Sequence, residues 1–322
     1  MNIFITDCDH EDTLQEEVVF AEAGMKFTLL QCKTEEDLIA QCQMADIILN
    51  QYAPITKKVM ERLPNLKYVV RYGVGTDNID VGAATELGIQ VGNVPDYGMN
   101  EVADHALSCM IALVRKLPQM NHQTKNGTWD YRTSIPIRRL STMTVGVIGM
   151  GRIGRNFARK ASGLGMRVLG YDPYYTPKAE DRTEYITPVT VETLLQASDV
   201  ISIHCPLNQA RGMLDKSAME MMKQGAYLIN VARGGIVDEE ALDWALESGH
   251  LAGAALDCMS KEPAPAKHPL FRHDNIILTP HMAWYSEEAA QELKRKIAEE
   301  AVRFARGEAI HYPVNHLTGL RR

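Results

Sequence analysis

Residues 145–154 read VGVIGMGRIG. The apolar residues ahead of Gly149 predict a buried strand, and the residues after Gly151 open a helical pattern. Between them stands G-x-G-x-x-G, formed by Gly149, Gly151 and Gly154. Alone that spacing is weak, because glycines are common. Between a strand and a helix it has a mechanical meaning. Gly149 permits the tight turn, Gly151 lets backbone approach a pyrophosphate, and Gly154 lets the helix pack on the strand. The N–H groups near Arg152 and Ile153 would hold the phosphates. A second strand, MRVLGYD, ends in Asp172, 18 residues beyond Gly154. An acid at that distance receives the ribose hydroxyls of a dinucleotide. It also repels a 2′-phosphate, which predicts NAD in preference to NADP.

Outward from this loop, short apolar runs alternate with helical patterns along the chain. MNIFIT, KFTLL, ADIIL, LKYVV and IQVGNV read as strands in the first hundred residues. A second series runs through MTVGVIGMG, RVLGYD, DVISIHC, AYLINVA, LAGAALD and NIILTP. Apolar strands separated by helices predict parallel sheets covered on both faces. The order fits an α/β protein of two doubly wound parallel-sheet domains. Between the series lies NEVADHALSCMIALVRKL, read as one long helix closed by Pro118, with Val102, Leu107, Met110, Ile111 and Val114 on an apolar face. Residues 119–143 have weak periodicity and carry Trp129 and Tyr131, as an arm would. The last element is a helix, SEEAAQELKRKIAEEAVRFARG, stopping at Gly307.

Composition narrows the function. The chain has 322 residues, 45% hydrophobic and 23% charged, which is ordinary for a globular protein. A net charge of −7 disfavours a nucleic-acid partner. The start has no secretory pattern and no apolar run is long enough for a membrane span, so no membrane association is expected. The 6 cysteines lack a CxxC spacing and read as buried free thiols of a cytoplasmic protein, with no metal site.

Three further strand ends carry polar groups. AYLINVARGG places Arg233 after a buried strand; AGAALD ends at Asp257, with Glu262 soon after in CMSKEP; IILTPH ends at His281. In open parallel sheets, ligands bind outside the carboxyl ends of strands. A guanidinium there can take a carboxylate through two parallel hydrogen bonds, although it can equally pair with a structural acid. A carboxylate touching an imidazole favours the protonated ring, which suits a general acid near neutral pH.

These residues, with HCPL, NVARGGIVDEEAL, GAALD, KEP, LTPH and RYGVGTDNID, resemble the D-isomer-specific 2-hydroxyacid dehydrogenases over nearly the whole chain, in order. The resemblance implies a NAD-binding domain at 98–286, including a dimerisation helix and arm. It implies a discontinuous, flavodoxin-like substrate domain from 1–97 and 287–322, with an active-site cleft. Arg233, Glu262 and His281 match the family's catalytic arginine, glutamate and histidine. Val74 and Gly75 match backbone amides that take the substrate carboxylate, with Tyr52 and Arg71 also assigned to substrate. His204, Cys205, Pro206, Val231 and Ala232 are assigned to the cofactor on the same motifs, and Asp257 lies where the family places a residue near the nicotinamide. HMAWYSEEA is closest to the C-terminal binding protein-like branch of corepressors, although the long disordered tail of that branch is lacking and CMSKEP replaces its commoner Val-Phe-Glu.

The implied reaction passes a hydride from NADH to a 2-oxo acid, giving the (R)-2-hydroxy acid. His281 donates the proton, Glu262 orients the ring and Arg233 holds the carboxylate. Phosphoglycerate dehydrogenase and hydroxypyruvate or glyoxylate reductase are the alternatives within the class. The loop NQYAPIT holds Tyr52 and no arginine for a phosphate, and the usual C-terminal regulatory domain is lacking. From another class, an NAD(H)-sensing interaction protein would not need Arg233, Glu262 and His281 together. A formate dehydrogenase would carry glutamine in place of Glu262. Trp284, three residues past His281, either plugs a domain interface or walls the substrate pocket beside an apolar side chain. A homodimer is expected.

Overall fold

The computed structural model describes residues 1–176, 178, 181, 183–317 and 319–321. The chain divides into two compact units, Met1–Gly98 with Ser286–Arg322, and Met99–Tyr285. Both are α/β units built on parallel strands.

The first unit has strands β1 (Ile3–Ile5), β2 (Phe27–Leu29), β3 (Ile47–Asn50), β4 (Tyr68–Arg71) and β5 (Gln90–Gly92). They lie in the order β2-β1-β3-β4-β5, every pair parallel. This is a flavodoxin-like doubly wound order. All four residues of β3 are buried, which explains why ADIIL shows no polar alternation. The helix Glu287–Ala305 belongs to this unit although it comes last in sequence. Its start is set by Ser286, whose side-chain oxygen accepts the Ala289 N–H at 3.0 Å. Phe304 stacks on Tyr68 of β4 with ring centroids 4.5 Å apart.

The second unit has β6 (Thr144–Ile148), β7 (Arg167–Tyr171), β8 (Ile186–Pro188), β9 (Val200–Ile203), β10 (Ala226–Asn230), β11 (Leu251–Leu256) and β12 (Ile276–Leu278). Their order is β12-β11-β10-β9-β6-β7-β8. That is the Rossmann order with one further strand at the β12 edge. Apolar clusters cover both faces: Leu194, Ile201, Leu228 and Leu242 on one, Met110, Val145, Phe157 and Ile229 on the other.

Three details depart from the sequence reading. The strand β8 has only 3 residues and no apolar run to announce it. The helix read through to Pro118 ends at Val114. Lys116 then adopts a left-handed φ of 53°, and a new helix, Leu117–Lys125, starts with Pro118 in its first turn. Proline suits a first turn because its missing N–H would have had no helical partner. Met110 and Val114 are in the core at 0% and 2% exposure, whereas Val102, Leu107 and Ile111 are only partly buried.

Candidate active site

The dinucleotide end is shaped by glycines. Gly149, at a left-handed φ of 94°, packs so closely that a Cβ would lie 2.6 Å from the His204 carbonyl carbon and 2.7 Å from the Cys205 nitrogen. A Cβ on Gly154 would lie 1.9 Å from the Gly149 oxygen. Gly151, the N-cap of the helix Arg152–Gly163, has open space where its Cβ would be. Such a cradle admits a phosphate against the first-turn N–H groups of that helix, where Arg152 and Ile153 stand. Asp172 follows β7. Its Oδ2 accepts the Met150 N–H at 2.8 Å and its Oδ1 accepts the Tyr174 N–H at 2.9 Å. These bonds hold the acid against the glycine loop.

Neighbouring residues behave differently from one another. The His204 ring is turned into the core, with Nε2 2.9 Å from the Ser202 hydroxyl and the ring centroid 5.0 Å from that of Phe157. Burial lowers its pKa to about 3, so the ring is neutral. Its backbone N–H donates to Ile148 at 2.7 Å. Its side chain thus packs between Ser202 and Phe157 at the end of β9. The Cys205 thiol is pushed up to about 11, first by burial and then by the charge of Asp172. Pro206 is exposed and caps a short helix, while Val231 is buried and Ala232 partly so, just past β10.

Arg233, Glu262 and His281 come together after β10, β11 and β12. Asn230, the last residue of β10 and 1% exposed, sets the first turn. Its Nδ2 donates to the Arg233 carbonyl at 2.8 Å and its Oδ1 accepts the Ala232 N–H at 3.0 Å. Glu262 Oε2 lies 2.7 Å from His281 Nδ1, and Oε1 accepts the Met259 N–H at 2.9 Å. Burial opposes ionisation of Glu262, but the hydrogen bond and charge of His281, the Met259 N–H and the Arg233 charge outweigh it. The carboxyl is therefore held below its ordinary range. With Nδ1 engaged, Nε2 is the ring nitrogen left to meet a reacting oxygen.

His281 sits at a left-handed φ of 53°, which costs about 1 kcal/mol or more for a residue with a Cβ. Asp257 compensates. Its backbone oxygen accepts the His281 N–H at 2.8 Å. Its Oδ1 accepts the Thr279 hydroxyl at 2.6 Å and the Met282 N–H at 2.9 Å, and Oδ2 accepts the Ala283 N–H at 2.9 Å. His105 Nε2 lies 3.1 Å from the Thr279 hydroxyl. At 3% exposure the Asp257 carboxylate is turned inward to hold the loop. Trp284 follows on this loop and meets Tyr285 edge-on, ring centroids 5.5 Å apart at 87°.

In the first unit, Arg71 ends β4, with Val74 exposed and Gly75 partly buried in the turn beyond it. Tyr52 follows β3. Its loop hangs on Asp7, whose Oδ1 accepts the Gln51 N–H at 3.1 Å while Oδ2 accepts the N–H groups of Tyr52 at 2.5 Å and Ala53 at 3.2 Å. Although Tyr52 is 57% exposed overall, its hydroxyl is pushed up to about 12, by desolvation first and then by Asp9. Asp7, Asn230 and Thr279 were missed in the sequence reading. Their signal was a polar residue in or beside an apolar run.

The second unit thus combines a Rossmann sheet, a glycine cradle followed by an acid, and an arginine, a glutamate and a histidine after successive strands. Residues 107–283 match the NAD binding domain of the D-isomer specific 2-hydroxyacid dehydrogenases. The chain belongs to that family, and the second unit is its NAD-binding domain. It is 38% identical over 296 residues to a D-3-phosphoglycerate dehydrogenase of Archaeoglobus fulgidus, an alignment covering 91% of this chain and 55% of that protein. The chain thus spans about half the length of that curated relative. A glyoxylate reductase of Korarchaeum cryptofilum is 38% identical over 262 residues, covering 79% of this chain and 78% of the relative. The solved D-lactate dehydrogenase of Aquifex aeolicus, complexed with NAD and lactic acid, superposes with a TM-score of 0.86 at 27% identity, covering 95% of this chain and 96% of that one. Among the described residues, no helix is long and apolar enough to cross a membrane.

Asp257→Asn replaces one acceptor oxygen with a donor facing N–H or O–H donors. The expected result is a loss of about 1–3 kcal/mol of stability, measured by thermal melting of the protein. For the activity proposed below, displacement of His281 is expected to lower kcat/KM by about a hundredfold relative to the wild type.

Proposed function

We propose that the chain is a NAD-dependent D-2-hydroxyacid dehydrogenase that reduces a 2-oxo acid to the (R)-2-hydroxy acid, reversibly. The observation that carries this reading is the 2.7 Å contact of Glu262 with His281 Nδ1, beside Arg233 and in the same unit as the glycine cradle. NADH, when bound, supplies the hydride to the carbonyl carbon. His281 gives the proton from Nε2 to the developing alkoxide. Glu262 holds the ring's tautomer and stabilises its charge. Arg233 takes the carboxylate and polarises the carbonyl oxygen. In the reverse direction neutral His281 is the base. Gly149, Gly151, Arg152, Ile153 and Gly154 are assigned to the pyrophosphate and Asp172 to the ribose. The backbones of His204, Cys205, Pro206, Val231 and Ala232 are assigned to the cofactor. Tyr52, Arg71, Val74 and Gly75 of the first unit are assigned to the substrate.

Within this class we assign Trp284 to the wall of the substrate pocket and infer an apolar or thioether side chain on the substrate. Covering two or three methylenes contributes about 0.8 kcal/mol each, roughly tenfold to fiftyfold in preference. The stretch Asn50–Thr56, NQYAPIT, holds no arginine for a phosphate, which sets the reading apart from the phosphoglycerate dehydrogenases among the relatives. Retention of the glutamate at 262 and of the full Arg233–Glu262–His281 set favours turnover over a purely NAD(H)-sensing, corepressor-like role.

One panel of 2-oxo acids tests the reaction. Long apolar substrates are expected to outperform glyoxylate and phosphorylated acids, and chiral chromatography to find the (R) product. Arg233→Ala and His281→Ala lose most of kcat/KM with NADH binding intact, whereas Trp284→Ala hurts long substrates more than pyruvate. Retained turnover in His281→Ala would remove the proton-donor role; an equal loss across substrates in Trp284→Ala would remove the pocket wall. Because the ionised Glu262 is needed and its pKa is depressed, its contribution is fully present above the ordinary glutamate range and is lost only as pH falls through the lowered value.

Asp172 is expected to give NADH at least about a tenfold higher kcat/KM than NADPH, equivalent to about 1.4 kcal/mol of discrimination. Equal values for the two cofactors would contradict the assignment.

The protein is further proposed to be a homodimer. Trp129, Tyr131 and Ile135 of the arm are 90%, 77% and 62% exposed, and Val102, Leu107 and Ile111 of the Met99–Val114 helix are only partly buried. Large apolar surface of this kind marks an association site. Sedimentation at micromolar concentration is expected to give a dimer; a monomer would overturn this.

A further inference from the structure

The loop that carries Glu262 is gripped from two sides by groups that touch neither substrate nor cofactor in the proposed reaction. Gly234, directly after Arg233, lies flat against the Met259–Ser260 peptide. A Cβ at Gly234 would stand 2.0 Å from the Met259 oxygen, 2.2 Å from its carbonyl carbon and 2.6 Å from the Ser260 nitrogen. The other grip is Glu239, the first residue of the helix Glu239–Glu247. Its Oε1 accepts the Ser260 N–H at 2.6 Å, and its Oε2 lies 3.1 Å from His268 Nε2. The side chains of Glu239 and His268 are each only 15% exposed. Asp238 caps the same helix, accepting the N–H groups of Glu240 at 2.9 Å and Ala241 at 3.1 Å. Glu239 is thus anchored at its base by a formed helix end.

The consequence lies in consecutive amides. The Met259 N–H donates to Glu262 at 2.9 Å, and the next N–H, that of Ser260, donates to Glu239 at 2.6 Å. Each peptide is planar, so the only soft torsions between the two N–H groups are those at Met259. With the Ser260 N–H pinned and the Met259 carbonyl packed on Gly234, the Met259–Ser260 peptide is fixed, and the Met259 N–H can turn relative to it only about those two torsions. The direction of that N–H decides whether Glu262 receives its backbone hydrogen bond while its other oxygen faces His281.

We propose that Glu239, locked by His268, is a positioning residue that fixes the Met259–Ser260 peptide and so keeps Glu262 in register with His281. For its kinetic consequences this rests on the reaction proposed above; for the state of Glu262 it does not.

The experiment compares Glu239→Ala, Glu239→Gln and His268→Ala with the wild type. The Glu262 carboxyl is titrated by carbon-13 NMR on the cofactor-free protein, its signal assigned with Glu262→Gln. In parallel, NADH binding is read by fluorescence and kcat/KM with the best 2-oxo acid of the panel. Glu239→Ala is expected to raise the Glu262 pKa towards its ordinary value, because a donor to the ionised form is lost. It should lower kcat/KM about tenfold or more while the NADH Kd stays within about twofold. Glu239→Gln keeps a carbonyl oxygen for the Ser260 N–H and should restore both readouts. His268→Ala moves both in the same direction as Glu239→Ala and serves if that variant does not fold. A Glu262 titration unmoved in Glu239→Ala, or in His268→Ala if that is the variant that folds, overturns the proposal whatever the melting temperature. If the wild type reduces no 2-oxo acid, the proposed reaction fails while the titration still decides the clamp.

Discussion

A carboxylate at 3% exposure must find donors, and Asp257 finds them in the loop that carries His281. Leaving such a group without partners costs several kcal/mol, so the loop is drawn around it. This constraint gives the imidazole a fixed backbone at a left-handed φ of 53°. It also leaves the ring only short torsions in which to meet Glu262. The same device recurs in the first unit, where the buried Asp7 gathers the N–H groups of Gln51, Tyr52 and Ala53 after β3. Each unit thus turns a polar residue at the end of an apolar strand into a rigid loop.

Electrostatics then divides the titratable groups by role. His204 and His281 both follow parallel strands, yet one ring is packed inward and the other meets a carboxylate at an open loop. The difference is the partner. His204 has burial and a hydroxyl neighbour, so its charged form is suppressed and its pKa falls to about 3. His281 instead has the Glu262 carboxylate at 2.7 Å from Nδ1 and side-chain exposure of 40%. Glu262 is in turn held ionised against its own desolvation.

Close backbone approach is the other theme. Gly149 against the His204–Cys205 peptide, Gly154 against the Gly149 carbonyl, and Gly234 against the Met259–Ser260 peptide all bring main chain within reach that a methyl group would block. In the first two cases this makes a cradle at a helix N-terminus. In the third it stacks the Arg233 turn on the loop of Glu262. Parallel strands from one sheet supply these turns side by side, which is why residues far apart in sequence meet.

Much of this was legible in the sequence. Apolar runs separated by helical patterns imply doubly wound parallel sheets, because a strand covered on both faces cannot alternate. VGVIGMGRIG followed by Asp172 implies a dinucleotide cradle from chemistry and spacing alone, and Arg233, Glu262 and His281 are visible as polar residues at strand ends. What tertiary structure alone decided is the direction each polar group faces. Asp172 and Asp257 both end apolar strands, yet Asp172 stays at the glycine loop and partly open, while Asp257 turns inward to serve three donors of a loop more than 20 residues later in the chain. Nothing local distinguishes the two, because the donors that decide come from a neighbouring strand end. The same holds for Pro118, which opens a second helix once Lys116 takes a left-handed φ. It holds too for β8, whose 3 residues are strand only because β7 offers them an edge. Hydrophobic periodicity reports what a segment buries; the partner it buries against is set by the fold.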